Sequence, residues 1–238
     1  MASVPAAAPA LIEELVIGNR ILFQEKVVDA FGHISARHDK DPNKFLLSRH
    51  RAPGLVSAED LLTYDLDCKP LDNPGAREYG EKWIHGEIYR ARPDVMAVVH
   101  CHAPALIPFG ATKTSLRPLY HMSGYLGLGV AHFEIRDVAR ATDMLIRTQQ
   151  LGKALAATLA DKPLVLMRGH GATMAGKSIQ QVVYRSIYAA LNASLQMEAM
   201  RLGEPIYLDR EEAENAAATN DGALDRAWAL WKREAMGS

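Results

Sequence analysis

Residues 95–102 constrain this chain more than any other stretch. Val95-Met96-Ala97-Val98-Val99 is a short apolar run preceded by Pro93, and it reads as a buried strand. His100-Cys101-His102 continues it. Side chains alternate faces along a strand, so His100 and His102 point one way and Cys101 the other. Two imidazoles about 7 Å apart on a rigid strand are half of a metal site. Upstream, Glu81-Lys82-Trp83-Ile84-His85 offers a carboxylate on an expected helix. Downstream, Arg168-Gly169-His170-Gly171 offers a third imidazole in a glycine-flanked turn. A lone histidine on a strand is more often a packed or surface residue than a ligand, and a lone glutamate on a helix is usually a solvated charge. The conjunction weighs more, because His100, His102 and His170 all end apolar strand-like runs, where scaffolds present functional groups.

The totals narrow the rest. A chain of 238 residues suits one large domain or two small ones, and 48% hydrophobic with 23% charged residues is an ordinary globular composition. A net charge of −1 argues against a nucleic-acid footprint and gives no reason to expect membrane binding. The two cysteines, Cys68 and Cys101, form no C-x-x-C pair, so a reduced, cytoplasmic protein is the expectation. Residues 1–9 lack a basic start and a sustained apolar core; they read as a disordered tail ahead of a single domain over 10–238.

Along the chain, Leu11 to Lys26 reads as a helix. Phe31 to Arg37 reads as a turn entering a strand, Lys44 to Ser48 as a strand, and Leu62 to Leu66 as another. Arg49-His50-Arg51 is a basic loop, and Ser57-Ala58-Glu59-Asp60 resembles a helix start. Helices are expected over Tyr79 to Arg90, Asp137 to Arg147, Leu151 to Leu159 and Ser178 to Leu202. The last has Ser178 as N-cap and Gly203 as stop, with Val182, Val183, Ile187, Leu191 and Leu195 among its apolar positions. Pro163 to Met167 is a buried strand ending at His170's turn, and the tail from Arg210 to Ala235 is helical with a break near Asn220-Asp221-Gly222. The mixture predicts an α/β or α+β domain with helices on both faces of one sheet.

Three neutral imidazoles leave at least one position open on a divalent metal, the mark of a catalytic rather than a structural site. The set suits Zn²⁺, with Mn²⁺, Co²⁺ or Fe²⁺ as alternatives. Such a cation stabilises negative charge developing on a bound oxygen, as carbon–carbon cleavage requires. Glu81 is then a proton carrier or a fourth ligand.

At these residues the chain resembles the class II aldolase/adducin family. The matching elements are Gly32-His33-Ile34-Ser35, Glu81-x-x-x-His85, Pro93-Asp94-Val95 ahead of His100-x-His102, and Gly169-His170-Gly171. The resemblance implies a three-layer α/β/α sandwich around a mainly antiparallel sheet. It also implies one divalent metal per subunit on His100, His102 and His170, with Glu81 as ligand or acid/base. Family members are commonly homotetramers with sites at subunit interfaces, and a neighbouring chain's tyrosine can be the proton donor; Tyr120 is the candidate here.

Sugar-phosphate aldolases of the family seat phosphate where this chain has His33, Ser48-Arg49 and Tyr79-Gly80. The Ser-Ser pair that such aldolases carry before the glutamate is replaced by Tyr79-Gly80, and Arg49-His50-Arg51 offers guanidinium forks that suit carboxylates. With Tyr120-His121-Met122, this is similar to the branch that decarboxylates hydroxylated aromatic or pyridine dicarboxylates. The expected substrate contacts are His33, Ser35, Ser48, Arg49 and Arg51, and the candidate proton donors are Glu81, Tyr120 and His121. The expected partner is a small hydroxy-aromatic acid. An aldolase acting on a sugar phosphate or hydroxy-keto acid is the second reading, and a non-enzymatic adducin-like binding module is the third.

Overall fold

The computed structural model describes residues 5–73 and 75–237. The chain enters α1 (Pro9–Gln24) with proline in the first turn, where a missing N–H costs nothing. The tail expected over residues 1–9 therefore gives way to helix at Pro9. Residues 1–4 lie outside the described residues, and the backbones of Ala6 and Ala8 are hydrogen-bonded to Lys40 and Asp39.

Seven strands build the centre: β1 (His33–Arg37), β2 (Lys44–Ser48), β3 (Leu61–Asp65), β4 (Ala97–Cys101), β5 (Val130–Phe133), β6 (Leu164–Met167) and β7 (Gly171–Gly176). They form one sheet in the order β3-β2-β1-β4-β7-β6-β5. Every neighbouring pair is antiparallel except β5 with β6. The two-residue period of β4 sorts its side chains. Ala97, Val99 and Cys101 enter a core shared with α1, α5 (Ile179–Leu202) and α7 (Leu224–Met236). Val98 enters a second core with α2 (Lys82–Ala91) and α4 (Gln149–Leu159). Helices thus cover both faces, and the molecule is the expected three-layer α/β/α sandwich. Ala97, Val98 and Val99 are fully buried, and burying a valine side chain contributes about 1.5–3 kcal/mol.

Several local expectations change. Residues 138–147 are not helical: a short 3-10 turn ends at Asp137, and Ala141 and Met144 then take positive φ. The segment instead runs irregularly, with Ile146 fully buried. α2 begins at Lys82, later than Tyr79, so Glu81 stands at its N-cap and not within a helical face shared with His85. β5 and β7 were not anticipated. The cap by Ser178, the stop at Gly203 and the break near Gly222 between α6 (Arg210–Asp221) and α7 are as expected. On α5, Val182, Val183 and Ile187 are buried, whereas Leu191 and Leu195 stand outside the core. Among the described residues, no helix is long and apolar enough to cross a membrane.

Candidate metal centre

The central strands bring the conspicuous residues together. His33 on β1 lies directly opposite His100 on β4, and His100 in turn lies opposite Thr173 on β7. His102 follows the end of β4, and His170 occupies the tight turn between β6 and β7. That turn needs glycine on its far side. A Cβ on Gly171 would sit 2.1 Å from the carbonyl oxygen of Cys101, so only glycine lets β7 close on β4 here.

Glu81, His100, His102 and His170 each offer one ligand atom, and these atoms all lie within 4.8 Å of one another. His100 Nε2 is 3.1 Å from His102 Nε2, and Glu81 Oε2 is 3.6 Å from the Nε2 atoms of both His100 and His170. Neighbours aim the set. Thr173 Oγ1 is 3.2 Å from His100 Nδ1, and the Ile146 amide donates to Glu81 Oε1 at 2.9 Å. Such outer contacts fix ring and carboxylate orientation at metal sites.

The electrostatics favour a cation. Burial holds His100 and His102 below the ordinary histidine range. Burial opposes charge on Glu81 as well, yet the imidazoles of His100 and His170 outweigh it and keep the carboxyl below its usual range. Both ring nitrogens of His170 are buried without a hydrogen-bond partner. A buried anion beside one buried and two partly buried imidazoles, with the ring nitrogens of His170 orphaned, is unfavourable alone and suited to a divalent ion. The residues therefore fit the group that the ligand set implies. A carboxyl so held suits a ligand or base better than an acid.

A cavity of about 320 Å³ opens over Glu81 and His102. Its walls include His33, His50, Arg51, Tyr79 and Arg147. Of the five residues expected to touch substrate, His33 and Arg51 line it. Ser35, Ser48 and Arg49 do not. Ser35 is buried behind His33 against His85, and Ser48 is buried with its hydroxyl 3.2 Å from that of Tyr79. Arg49 is paired with the buried Asp60 at 2.6 Å, and Arg51 is 3.0 Å from the same carboxylate. Tyr120 and His121 do not line the cavity either; Tyr120 lies by Tyr188 of α5, with ring centres 6.5 Å apart.

Arg147, His50 and Tyr79 were not among the expected site residues. His50 and Tyr79 stood beside residues already singled out. Arg147 carried no signal, because its place depends on a contact far away in sequence. Its guanidinium covers Gly80, where a Cβ would lie 2.9 Å from it.

Comparison with known proteins adds a family to this geometry. The family model described as Class II Aldolase and Adducin N-terminal domain matches residues 13–197. The chain is 35% identical to the decarboxylase tropJ of Talaromyces stipitatus, over 98% of this chain and 96% of that protein. It is 29% identical to the 3,4-dihydroxyphthalate decarboxylase of Arthrobacter keyseri, over 93% of this chain and 91% of that one. Among solved structures, L-fuculose 1-phosphate aldolase from Glaciozyma antarctica superposes with a TM-score of 0.79 at 20% identity, covering 98% of this chain and 93% of that one.

Proposed function

The chain belongs to the class II aldolase and adducin family, and from that premise we propose that it is a divalent-metal-dependent decarboxylase of a hydroxylated aromatic or pyridine dicarboxylate. The observation that carries the reading is a cluster of one carboxylate and three imidazoles, of which Glu81 and His102 open into a cavity with two arginines in its wall. The names of the two relatives point to the same reaction class. His100, His102 and His170 would hold the metal, with Glu81 as fourth ligand. When bound, the metal would polarise oxygen substituents of the ring and take up negative charge as it develops.

The protein's own residues do the rest. Arg51 and Arg147 pair with the carboxylate that the substrate keeps, since guanidinium forks match carboxylates. His33 and Tyr79 wall the ring. A proton placed on the ring carbon that bears the leaving carboxylate lets the carbon–carbon bond break. Carbon dioxide departs and the bonding electrons restore the aromatic ring. The proton donor is one of Glu81, Tyr120 and His121, the last two presented by a neighbouring copy in a homotetramer. Burial, and then nearby Tyr188, push the Tyr120 phenol up to about 12, which keeps its proton in place until it is needed.

The test is carbon dioxide release from 3,4-dihydroxyphthalate and related ortho-hydroxy dicarboxylates by protein loaded with zinc or manganese, with chelator as control. Release that chelator abolishes is expected. No release across the panel, with cleavage of L-fuculose 1-phosphate instead, would replace the decarboxylase by an aldolase.

A further inference from the structure

Behind the cavity wall, four buried side chains form an unbroken line. Tyr89 on α2 has its hydroxyl 2.8 Å from Ser35 Oγ on β1. Ser35 Oγ is 2.6 Å from His85 Nδ1, and His85 Nε2 is 2.7 Å from His33 Nδ1. All four residues are at most 4% exposed, so bulk solvent is kept from the line. His33 alone of the four lines the cavity.

The line has a direction. A hydroxyl has one proton to give, and a neutral imidazole has one N–H and one bare nitrogen. Among the described residues, the Tyr89 hydroxyl has no acceptor other than Ser35, and burial keeps its proton on. Tyr89 therefore donates to Ser35. Ser35 must then donate to His85 Nδ1, and burial, which takes His85 down to about 3, leaves that ring a single proton, on Nε2. That proton goes to His33 Nδ1, so the proton of His33 is on Nε2. The opposite direction would strand the buried Tyr89 proton without an acceptor, the costlier kind of unsatisfied group.

We propose that Ser35 and His85, backed by Tyr89, are positioning residues that present His33 to the cavity as an Nε2–H donor, so that His33 grips an anionic oxygen of the bound acid and serves neither as base nor as metal ligand. The assignment of the gripped oxygen to an aromatic acid rests on the proposed function; the direction of the line does not. It also accounts for Ser35, which lies at an expected substrate-contact position yet never reaches the cavity.

Nitrogen NMR of histidine-labelled, zinc-loaded protein reads the tautomer without any substrate, with His33→Gln assigning the signals. His33 is expected to be bare at Nδ1 and protonated at Nε2. The same form should persist in Tyr89→Phe, because the Ser35 hydroxyl still has only His85 to donate to. In Ser35→Ala the line is cut: both tautomers of His33 should appear, and affinity for 3,4-dihydroxyphthalate should fall about fivefold. Zinc content and circular dichroism should not change. A wild-type His33 protonated at Nδ1 overturns the proposal, as does an Ser35→Ala protein that keeps a single tautomer and full affinity. The expected tautomers with no binding of any hydroxy-aromatic acid would count against the substrate class alone.

Discussion

Arg147 shows how much one side chain can depend on its neighbours. Its Nε is held by Asp143 at 2.6 Å, and the next residue back, Ile146, gives its amide to Glu81. One short segment thus aims the carboxylate of the candidate ligand cluster and sets a guanidinium over Gly80. If that guanidinium receives the retained carboxylate, Arg147→Gln should raise KM for a dicarboxylate about tenfold and leave kcat nearly unchanged, since binding would be lost equally in ground and transition states. Steady-state kinetics on protein loaded with zinc decide it. A fall in kcat at constant KM would move Arg147 from binding to the chemical step, and no change in either would remove it from the site.

Loop 49–51 is held to its neighbour by a single buried acid. Asp60 closes a 3-10 turn (Ala58–Asp60) through a capping box with Ser57, and its two oxygens pair with Arg49 and Arg51. Burial alone would raise its pKa, but the Ser57 amide, Arg49 and the Ser57 hydroxyl together bring it below the usual carboxylate value. A depressed folded-state pKa contributes stability above the ordinary value and loses it as pH falls through the folded one. Asp60→Asn should therefore cost about 1–2 kcal/mol at neutral pH, a figure reduced because both arginines are half exposed. The deficit should close below about pH 4. Urea unfolding across that range checks it, and a pH-independent deficit would mean that packing, not charge, is what Asp60 supplies.

The same scale shows what could be read from sequence. β2 matched over its whole length because Lys44-Phe45-Leu46-Leu47-Ser48 carries its own apolar signal between breakers. β7 did not. Gly171-Ala172-Thr173-Met174-Ala175-Gly176 is four-sixths glycine and alanine, which carry little strand preference, and Gly171 is required for close backbone approach to β4. Residues 138–147 look helical locally, yet the buried Ile146 and its bond to Glu81 override that preference. The three histidines stood out in sequence because each ends an apolar run, and the family resemblance set Glu81 beside them. The cavity's other walls were not legible there, since Arg147 and Gly80 meet only through the fold.

At the scale of the whole molecule, α5 carries a stripe that the single chain leaves unfinished. Tyr184 is buried and Tyr188 half-buried, and Leu191 and Leu195, three and seven residues beyond Tyr188 and on the same side of the helix, are 48% and 45% exposed. Tyr120 packs beside Tyr188 at the upper end of this stripe. A contact between copies that covers Leu191 and Leu195 would therefore carry Tyr120 toward a neighbour, which is what the proposed proton transfer between subunits requires. Leu191→Glu combined with Leu195→Glu should place charge on that surface and lower the mass seen by light scattering from that of the proposed homotetramer toward monomer, with helix content intact. Carbon dioxide release should fall with the mass, whereas zinc content should hold, because His100, His102, His170 and Glu81 all belong to one chain. An unchanged mass would show that this stripe is not the contact. A monomer that keeps full activity would mean that the proton comes from within the chain, and Tyr120 would lose its role.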